Sequence, residues 1–346
     1  MPASEPSWWY GREGAWQAIA LSPIAAIVGA LASRRISSAK PYRSQFPVIC
    51  VGNFTAGGSG KTPLALLLAK LVANEGHEPW FLSRGYGGKL EGPIRVDPAR
   101  HRASDVGDEP LLLAQACPAV ISRDRRKGAE AIEAMAPENA VIIMDDGLQN
   151  PALAKDLSIA VVDARRGFGN GKVIPAGPLR APLAVQAPLV QLVLLMGSAP
   201  PGEAGIAQTL RNLTDASIIA GKTQADASAA RFRGRKVLAF AGIANPDRFF
   251  ATLESAGADI VAKRTFADHH PFSETEAREL LEEADRSGAA LVTTEKDFVR
   301  LDGQSGFCAD LKSRSETLAI TTVIDGDGLE ILRQALRTAL GRRPQV

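Results

Sequence analysis

VGNFTAGGSGKTP, residues 51–63, joins two kinds of sequence. Before it, PVICV (47–51) is a short apolar run, as expected for a strand covered on both faces. After it, PLALLLAKLVANEG (63–76) reads as a helix that stops near Gly76. A strand, a glycine-rich turn and a helix form the context in which the pattern G-x-x-x-x-G-K-S/T binds phosphate. Glycines let backbone N–H groups turn toward phosphate oxygens, and the helix N-terminus adds partial positive charge. Thr55, Ala56, Gly57, Gly58, Ser59, Gly60, Lys61 and Thr62 are therefore the candidate nucleotide-binding residues. Lys61 is placed to reach the β- and γ-phosphates, and the Thr62 hydroxyl to meet Mg²⁺. Pro63 fits the first helical turn, where its missing N–H costs little. Thr55 stands where the pattern has glycine, so Gly57 and Gly58 are expected to supply the flexibility. The competing reading is a glycine-rich turn that binds nothing.

A phosphate loop of this type needs a second, metal-holding element. AVIIMDDGLQ (140–149) is an apolar strand ending in Asp145 and Asp146, a Walker B arrangement. Either acid could instead be an ordinary loop carboxylate. Together the two motifs point to ATP with Mg²⁺ and leave the phosphate acceptor undefined.

Further strand candidates are PWFLS, SIAVVDA and LVQLVLLM, separated by helical patterns. This alternation predicts an α/β fold with a doubly wound sheet of the P-loop NTPase type. A polar stretch follows, and then a second α/β run, from KVLAFAGI through DIVAKRTF to ALVTTEKD. The expected organisation is an N-terminal segment at 1–40, a P-loop domain at 41–200, a connecting region at 201–230 and a smaller C-terminal α/β domain at 231–346.

The net charge of +2 does not suggest nucleic acid as a partner. Cys50, Cys117 and Cys308 are odd in number and far apart, which fits a reducing compartment and no disulfide framework. The N-terminus is less ordinary. GAWQAIALSPIAAIVGALAS, between Glu13 and Arg34, carries no charge. Trp8, Trp9, Tyr10 and Trp16 precede or open it, and Arg34, Arg35, Lys40 and Arg43 follow it. Aromatic and basic flanks of this kind favour a membrane interface. On a helix, Trp16, Ile19, Ile24, Ile27, Val28 and Leu31 would form one apolar stripe. A single span, a helix lying in the interface and a buried core helix remain open at this stage, although Pro23 and the many alanines weaken the span.

The motifs VGNFTAGGSGKTP, SRGYGG (83–88), VGDEP (106–110), SRDR (122–125), DDGLQ (145–149), IPAGPLR (174–180), FADHH (266–270) and TTEKD (293–297) occur in the order seen in tetraacyldisaccharide 4'-kinases, the lipid A kinases of Gram-negative bacteria, which this sequence closely resembles. The resemblance covers most of the chain. It implies ATP-dependent phosphorylation of the 4'-hydroxyl of a tetraacyldisaccharide 1-phosphate at the cytoplasmic face of the inner membrane. The implied partner is an acylated disaccharide lipid, with no nucleic acid and no obligate protein partner. Position by position, Asp108 resembles the carboxylate that orients and deprotonates the sugar hydroxyl, with His269 as its partner; His270 is the alternative partner. Glu109 and one of Asp145 and Asp146 would help Thr62 place Mg²⁺, while Lys61 would neutralise charge on the transferred group. Arg84, Arg123, Arg125 and Arg126 are candidates for phosphate contacts or for a solvated basic face. Lys296 and Asp297 would either pair internally or meet nucleotide. Ala181 follows PLR where the family often has an acid, which leaves any carboxylate role there without a residue.

Overall fold

The computed structural model describes residues 6–11, 15–58, 60–197 and 205–341. Ser59, the ends of the chain, residues 12–14 and residues 198–204, which include the start of the expected connector, lie outside the described residues.

Strands β1 (Val48–Gly52), β2 (Glu78–Ser83), β3 (Ile94–Arg95), β4 (Ala119–Ile121), β5 (Ala140–Asp145), β6 (Leu157–Asp163), β7 (Leu192–Met196) and β8 (Ser217–Ala225) lead into a second group. That group is β9 (Lys236–Ala241), β10 (Asp259–Thr265), β11 (Ala290–Thr294) and β12 (Ser315–Leu318), after which β13 (Ile320–Ile324) follows. Among the described residues, nine strands form one sheet in the order β13-β8-β7-β6-β1-β5-β2-β4-β3. Neighbours run parallel except at the two ends, where β3 and β13 are antiparallel. All five residues of β1 are buried, as its unbroken apolar sequence requires for a strand covered on both faces. The helix Lys61–Asn74 packs Leu64, Ala65, Leu68 and Val72 into the main core beside Ile49, Ile143 and Ile159.

Topology sets the site. β1 lies between β5 and β6, and Val51 pairs with Asp145. The glycine-rich turn and the Asp145–Asp146 pair therefore emerge side by side at the carboxyl edge of the sheet, where open α/β sheets bind ligands.

The second sheet is parallel throughout, in the order β10-β9-β11-β12. Phe240, Leu280, Leu281 and Leu311 fill one of its faces, and Phe249, Phe250 and Leu253 the other. The helix Glu274–Ser287 begins with a capping box between Ser273 and Glu276.

Two features differ from the sequence-based expectations. The stretch 201–230 contains β8, a full member of the first sheet, and the chain returns from β12 to that sheet as β13. The helix Gly326–Leu340 then adds Leu332, Leu336 and Ala339 to the first core. The expected boundaries at 200 and 231 thus cut through the first sheet. β8 escaped notice because SIIAGKTQA is half-exposed and carries Gly, Lys and Gln. The N-terminal apolar stretch is broken into the helices Trp16–Ala20 and Ser22–Ser37. Among the described residues, no helix is long and apolar enough to cross a membrane.

Ala18, Ala25 and Gly29 form the buried side of these two helices. Gly29 sits against Pro182 and Val173, and Lys172 donates to the Ser22 hydroxyl at 2.7 Å. The opposite side is open: Trp16, Ile19, Ile24, Ile27 and Leu31 are each more than half exposed.

Candidate active site

The phosphate loop is braced by IPAGPLR. Thr55 bridges Leu179, Ala56 N–H donates to the Pro178 carbonyl at 2.8 Å, and Arg180 Nε donates to the Thr55 carbonyl at 3.1 Å. Thr55 is therefore in a strand-like bridge, where the pattern's glycine is not needed. The left-handed backbone falls at Gly57 (φ 95°) and at Gly60 (φ 87°), which caps the helix Lys61–Asn74. Gly58 faces Ala244, on the loop after β9, so the second sheet's edge stands over the turn. Thr62 and Lys61 are buried in the first helical turn, and Lys61 Nζ lies 3.8 Å from Asp146 Oδ2.

The two strand-end acids have opposite surroundings. Asp146, at φ 51°, accepts both Nη atoms of Arg180, at 2.8 and 2.9 Å. Burial alone would raise its pKa, but Lys61 and Arg180 outweigh it and hold the carboxyl below the usual range. Asp145 is buried, and among the described residues neither of its oxygens has a hydrogen-bond partner. Burial first, then the nearby Glu109 and Asp146 carboxylates, pushes it up to about 7. An orphaned buried carboxylate is costly and calls for a partner. Among the described residues no three His, Cys, Asp or Glu side chains converge as a metal cage. Mg²⁺ does not need one, because it is commonly held by one or two carboxylates together with substrate phosphates. Asp145, at the end of the strand beside the one that leads into the phosphate loop, fits that requirement.

Facing this edge is a cluster contributed by both sheets. The helix Asp108–Ala116 starts after Gly107 (φ 92°), where a side chain would collide with the Tyr86 carbonyl. Asp108, at the first position, is 3% exposed. His269 of FADHH reaches it across 161 residues, with Nδ1 3.1 Å from Asp108 Oδ2. His269 adopts φ 58°, and its backbone N–H donates to the Gly242 carbonyl at 3.1 Å. Tyr86 of SRGYGG lies beside the imidazole, with ring centroids 5.7 Å apart. His270 turns away, bonding Glu276 at 2.9 Å and stacking on Phe266. The structure thus selects His269 as the neighbour of Asp108.

Lys296 pairs with Glu109, and Asp297 pairs with Arg300 at 2.6 Å. The Lys296 ammonium is the main influence holding Glu109 below the ordinary carboxylate range, against burial and with Lys61 assisting. Burial lowers Asp108's charged-state stability, yet the His269 hydrogen bond and the Arg300 guanidinium outweigh it and keep this carboxyl well below its usual range. His269 moves the other way: its bond to Asp108 raises its pKa despite burial.

The candidate arginines divide. Arg84 is exposed. Arg123 pairs with Glu91 and Arg126 with Glu130 on the solvated face. Arg125 is buried and donates to the Ser122 carbonyl. Ala181 is fully buried, and its carbonyl accepts Gln186 Nε2 at 2.6 Å. Sequence reasoning missed Arg300, which lies 192 positions from Asp108 and three beyond the last motif. It also missed the bond from Arg180 to Asp146, although both residues lay in quoted motifs.

Residues 17–337 match the family described as tetraacyldisaccharide-1-P 4'-kinase (LpxK). The tetraacyldisaccharide 4'-kinase of Methylobacterium radiotolerans is 49% identical over 337 residues, 97% of this chain and 98% of that protein. Its namesake from Methylobacterium nodulans is 53% identical over 298 residues, 86% of this chain and 87% of that protein. The crystal structure of "apo" form LpxK from Aquifex aeolicus in complex with ATP aligns with a TM-score of 0.71 at 25% identity, covering 93% of this chain and 99% of that one.

Proposed function

The chain belongs to the tetraacyldisaccharide-1-P 4'-kinase family, and on that premise we propose how its residues carry out the transfer. It is a kinase of lipid A biosynthesis that moves the γ-phosphate of ATP to the 4'-hydroxyl of tetraacyldisaccharide 1-phosphate. The observation that supports the proposed site is that Glu109 lies near both Lys61 and Asp145, while the residue before it, Asp108, bonds His269 of the second sheet's loop.

The loop 55–62 holds the triphosphate through its backbone N–H groups, with Lys61 neutralising charge on the transferred group. Arg180 keeps Asp146 and the Thr55 carbonyl in fixed relation, which holds the loop against the strand-end acids. Asp145, with Thr62 and assisted by Asp146 and Glu109, would hold Mg²⁺, whose charge neutralises phosphate oxygens when bound. Phosphoryl transfer has a loose transition state, so positioning and charge neutralisation carry most of the catalysis. The Asp108–His269 pair orients the acceptor hydroxyl and receives its proton.

The acceptor carries several acyl chains and stays in a bilayer. The exposed apolar stripe from Trp16 to Leu31, followed by exposed Arg34 and Arg35, is suited to the cytoplasmic surface of the inner membrane as a peripheral anchor. The test is transfer of labelled γ-phosphate from ATP to tetraacyldisaccharide 1-phosphate in mixed micelles. Label on the lipid, lost in Lys61→Ala, is expected; ATP hydrolysis without labelled lipid would reject the lipid acceptor.

A further inference from the structure

Gln186 is fully buried at the end of the short helix Leu183–Gln186, outside the motifs quoted above. Its Nε2 donates to the Phe54 carbonyl at 3.1 Å and to the Ala181 carbonyl at 2.6 Å. Its Oε1 accepts Gln149 Nε2 at 2.6 Å, and that nitrogen also donates to the Asn53 carbonyl at 2.7 Å. The chemistry leaves one arrangement. A carbonyl can only accept, so the two carbonyls fix which end of the Gln186 amide is nitrogen, and its oxygen is left for Gln149. A carboxylate at this place could not donate, and an apolar side chain would leave buried polar partners unpaired. Position 186 therefore calls for an amide of this reach. Ala181 takes part through its backbone carbonyl, a role that needs no acid there.

The partners belong to both halves of the nucleotide site. Asn53 and Phe54 lead directly into the loop 55–62, and Gln149 lies in the turn that follows Asp145 and Asp146. Gly52 lets the two halves approach, because a Cβ there would lie 2.5 Å from that of Leu148. Arg180 makes a parallel link between the same halves, from the Thr55 carbonyl to Asp146. The two links differ in kind. Arg180 is 27% exposed and holds a carboxylate that also faces Lys61. A triphosphate and a divalent cation entering the site compete for these charges. The amide link is neutral and Gln186 is sealed from solvent, so a bound nucleotide does not compete for it.

We propose that Gln186 is a positioning residue of the nucleotide site: through Gln149 and the Phe54 carbonyl it holds the phosphate loop in register with the strand-end acids, with or without nucleotide. The quantity it sets is the coupling between ATP and Mg²⁺. The loop offers contacts to phosphate and the strand end offers the carboxylate. A cation shared between phosphate and carboxylate is held well only when those two elements keep their spacing.

This inference rests on the reading of the loop as an ATP site, and its test is separable from the lipid acceptor. Gln186→Met keeps the length of the side chain and removes its donors and its acceptor. ATP affinity is titrated with and without Mg²⁺, and the ratio of the two is the coupling. The variant is expected to bind metal-free ATP within about threefold of wild type and to lose about tenfold or more of the Mg²⁺ enhancement. Its kcat per ATP-binding site should fall by roughly 10–10², while KM for the acceptor changes little, because small misplacements of reacting groups are costly. A residue that only stabilised the fold would lower the melting temperature and leave the coupling as it was. An unchanged coupling in the folded variant therefore overturns the proposal. Gln149→Met cuts the same link from its other end. The double variant should lose no more coupling than the larger single loss, and losses that multiply would break the proposed connection. Should Gln186→Met fail to fold, side-chain amide hydrogen exchange in the unmodified protein carries the test. The Gln186 carboxamide is expected to stay protected when ATP and Mg²⁺ are added, and loss of that protection overturns the proposal. Failure of the unmodified protein to phosphorylate the lipid would instead refute the lipid acceptor, with the coupling measurement still deciding the role of Gln186.

Discussion

Replacing Ile24, Ile27 and Leu31 by serine should release the protein from membranes while leaving its nucleotide site intact. The three side chains are 52%, 62% and 63% exposed and lie along one side of the N-terminal helices. Burying a whole Ile or Leu side chain stabilises by about 1.5–3 kcal/mol, so the exposed portions offer about 1–2 kcal/mol each on entering a bilayer surface. The triple variant should lose about 3–6 kcal/mol of partition energy, or roughly 10²–10⁴ in the partition constant. The fold should tolerate the change. Serine and isoleucine have similar helix propensities, and the buried Ala25 and Gly29, the latter against Val173 and Pro182, lie on the other side. Co-flotation with anionic vesicles measures the partition, and ATP titration measures the site. Vesicle binding within about threefold of wild type, in a folded variant, would refute the assignment of this stripe to the membrane.

Other outcomes follow from the site. Lys61→Ala and Asp108→Ala should each lower turnover by roughly 10²-fold or more in the mixed-micelle assay, through lost charge neutralisation and lost proton handling respectively. His269 faces Asp108, Asp268, Arg300 and the Tyr86 ring, and its pKa is raised above 6.5. Its charged form stabilises the fold fully below pH 6.5, and that contribution is lost as pH rises through the higher folded value. Urea titrations of His269→Asn should lack this alkaline loss. Mg²⁺ should raise the thermal midpoint of the unmodified protein in the absence of nucleotide, and Asp145→Ala should abolish the rise.

The readable parts of this chain were those in which one short segment carries both structure and chemistry. PVICV with GGSGKT, and AVIIMDD, each contain a strand and the group at its end, so sheet and nucleotide loop were legible together. Asp108 and His269 were linked only through resemblance to a known family, since nothing in VGDEP or FADHH reveals that a gap of 161 residues closes to 3.1 Å. Arg300 was not legible at all. An arginine on a short helix after TTEKD looks like any surface charge until the fold buries it against two acids. β13, the sequence ITTVI, was hidden by its two threonines and by its position after a second domain, and only tertiary pairing with β8 makes it a strand.

The central claim is that nucleotide loop, strand-end acids and the Asp108–His269 pair act as one site on a lipid hydroxyl. Following the reaction of ATP, Mg²⁺ and tetraacyldisaccharide 1-phosphate by ³¹P NMR tests it most directly. A new phosphomonoester on the 4'-oxygen, growing in step with ADP and absent with Lys61→Ala, is the predicted result. ADP accumulating with no new lipid phosphate would contradict the account.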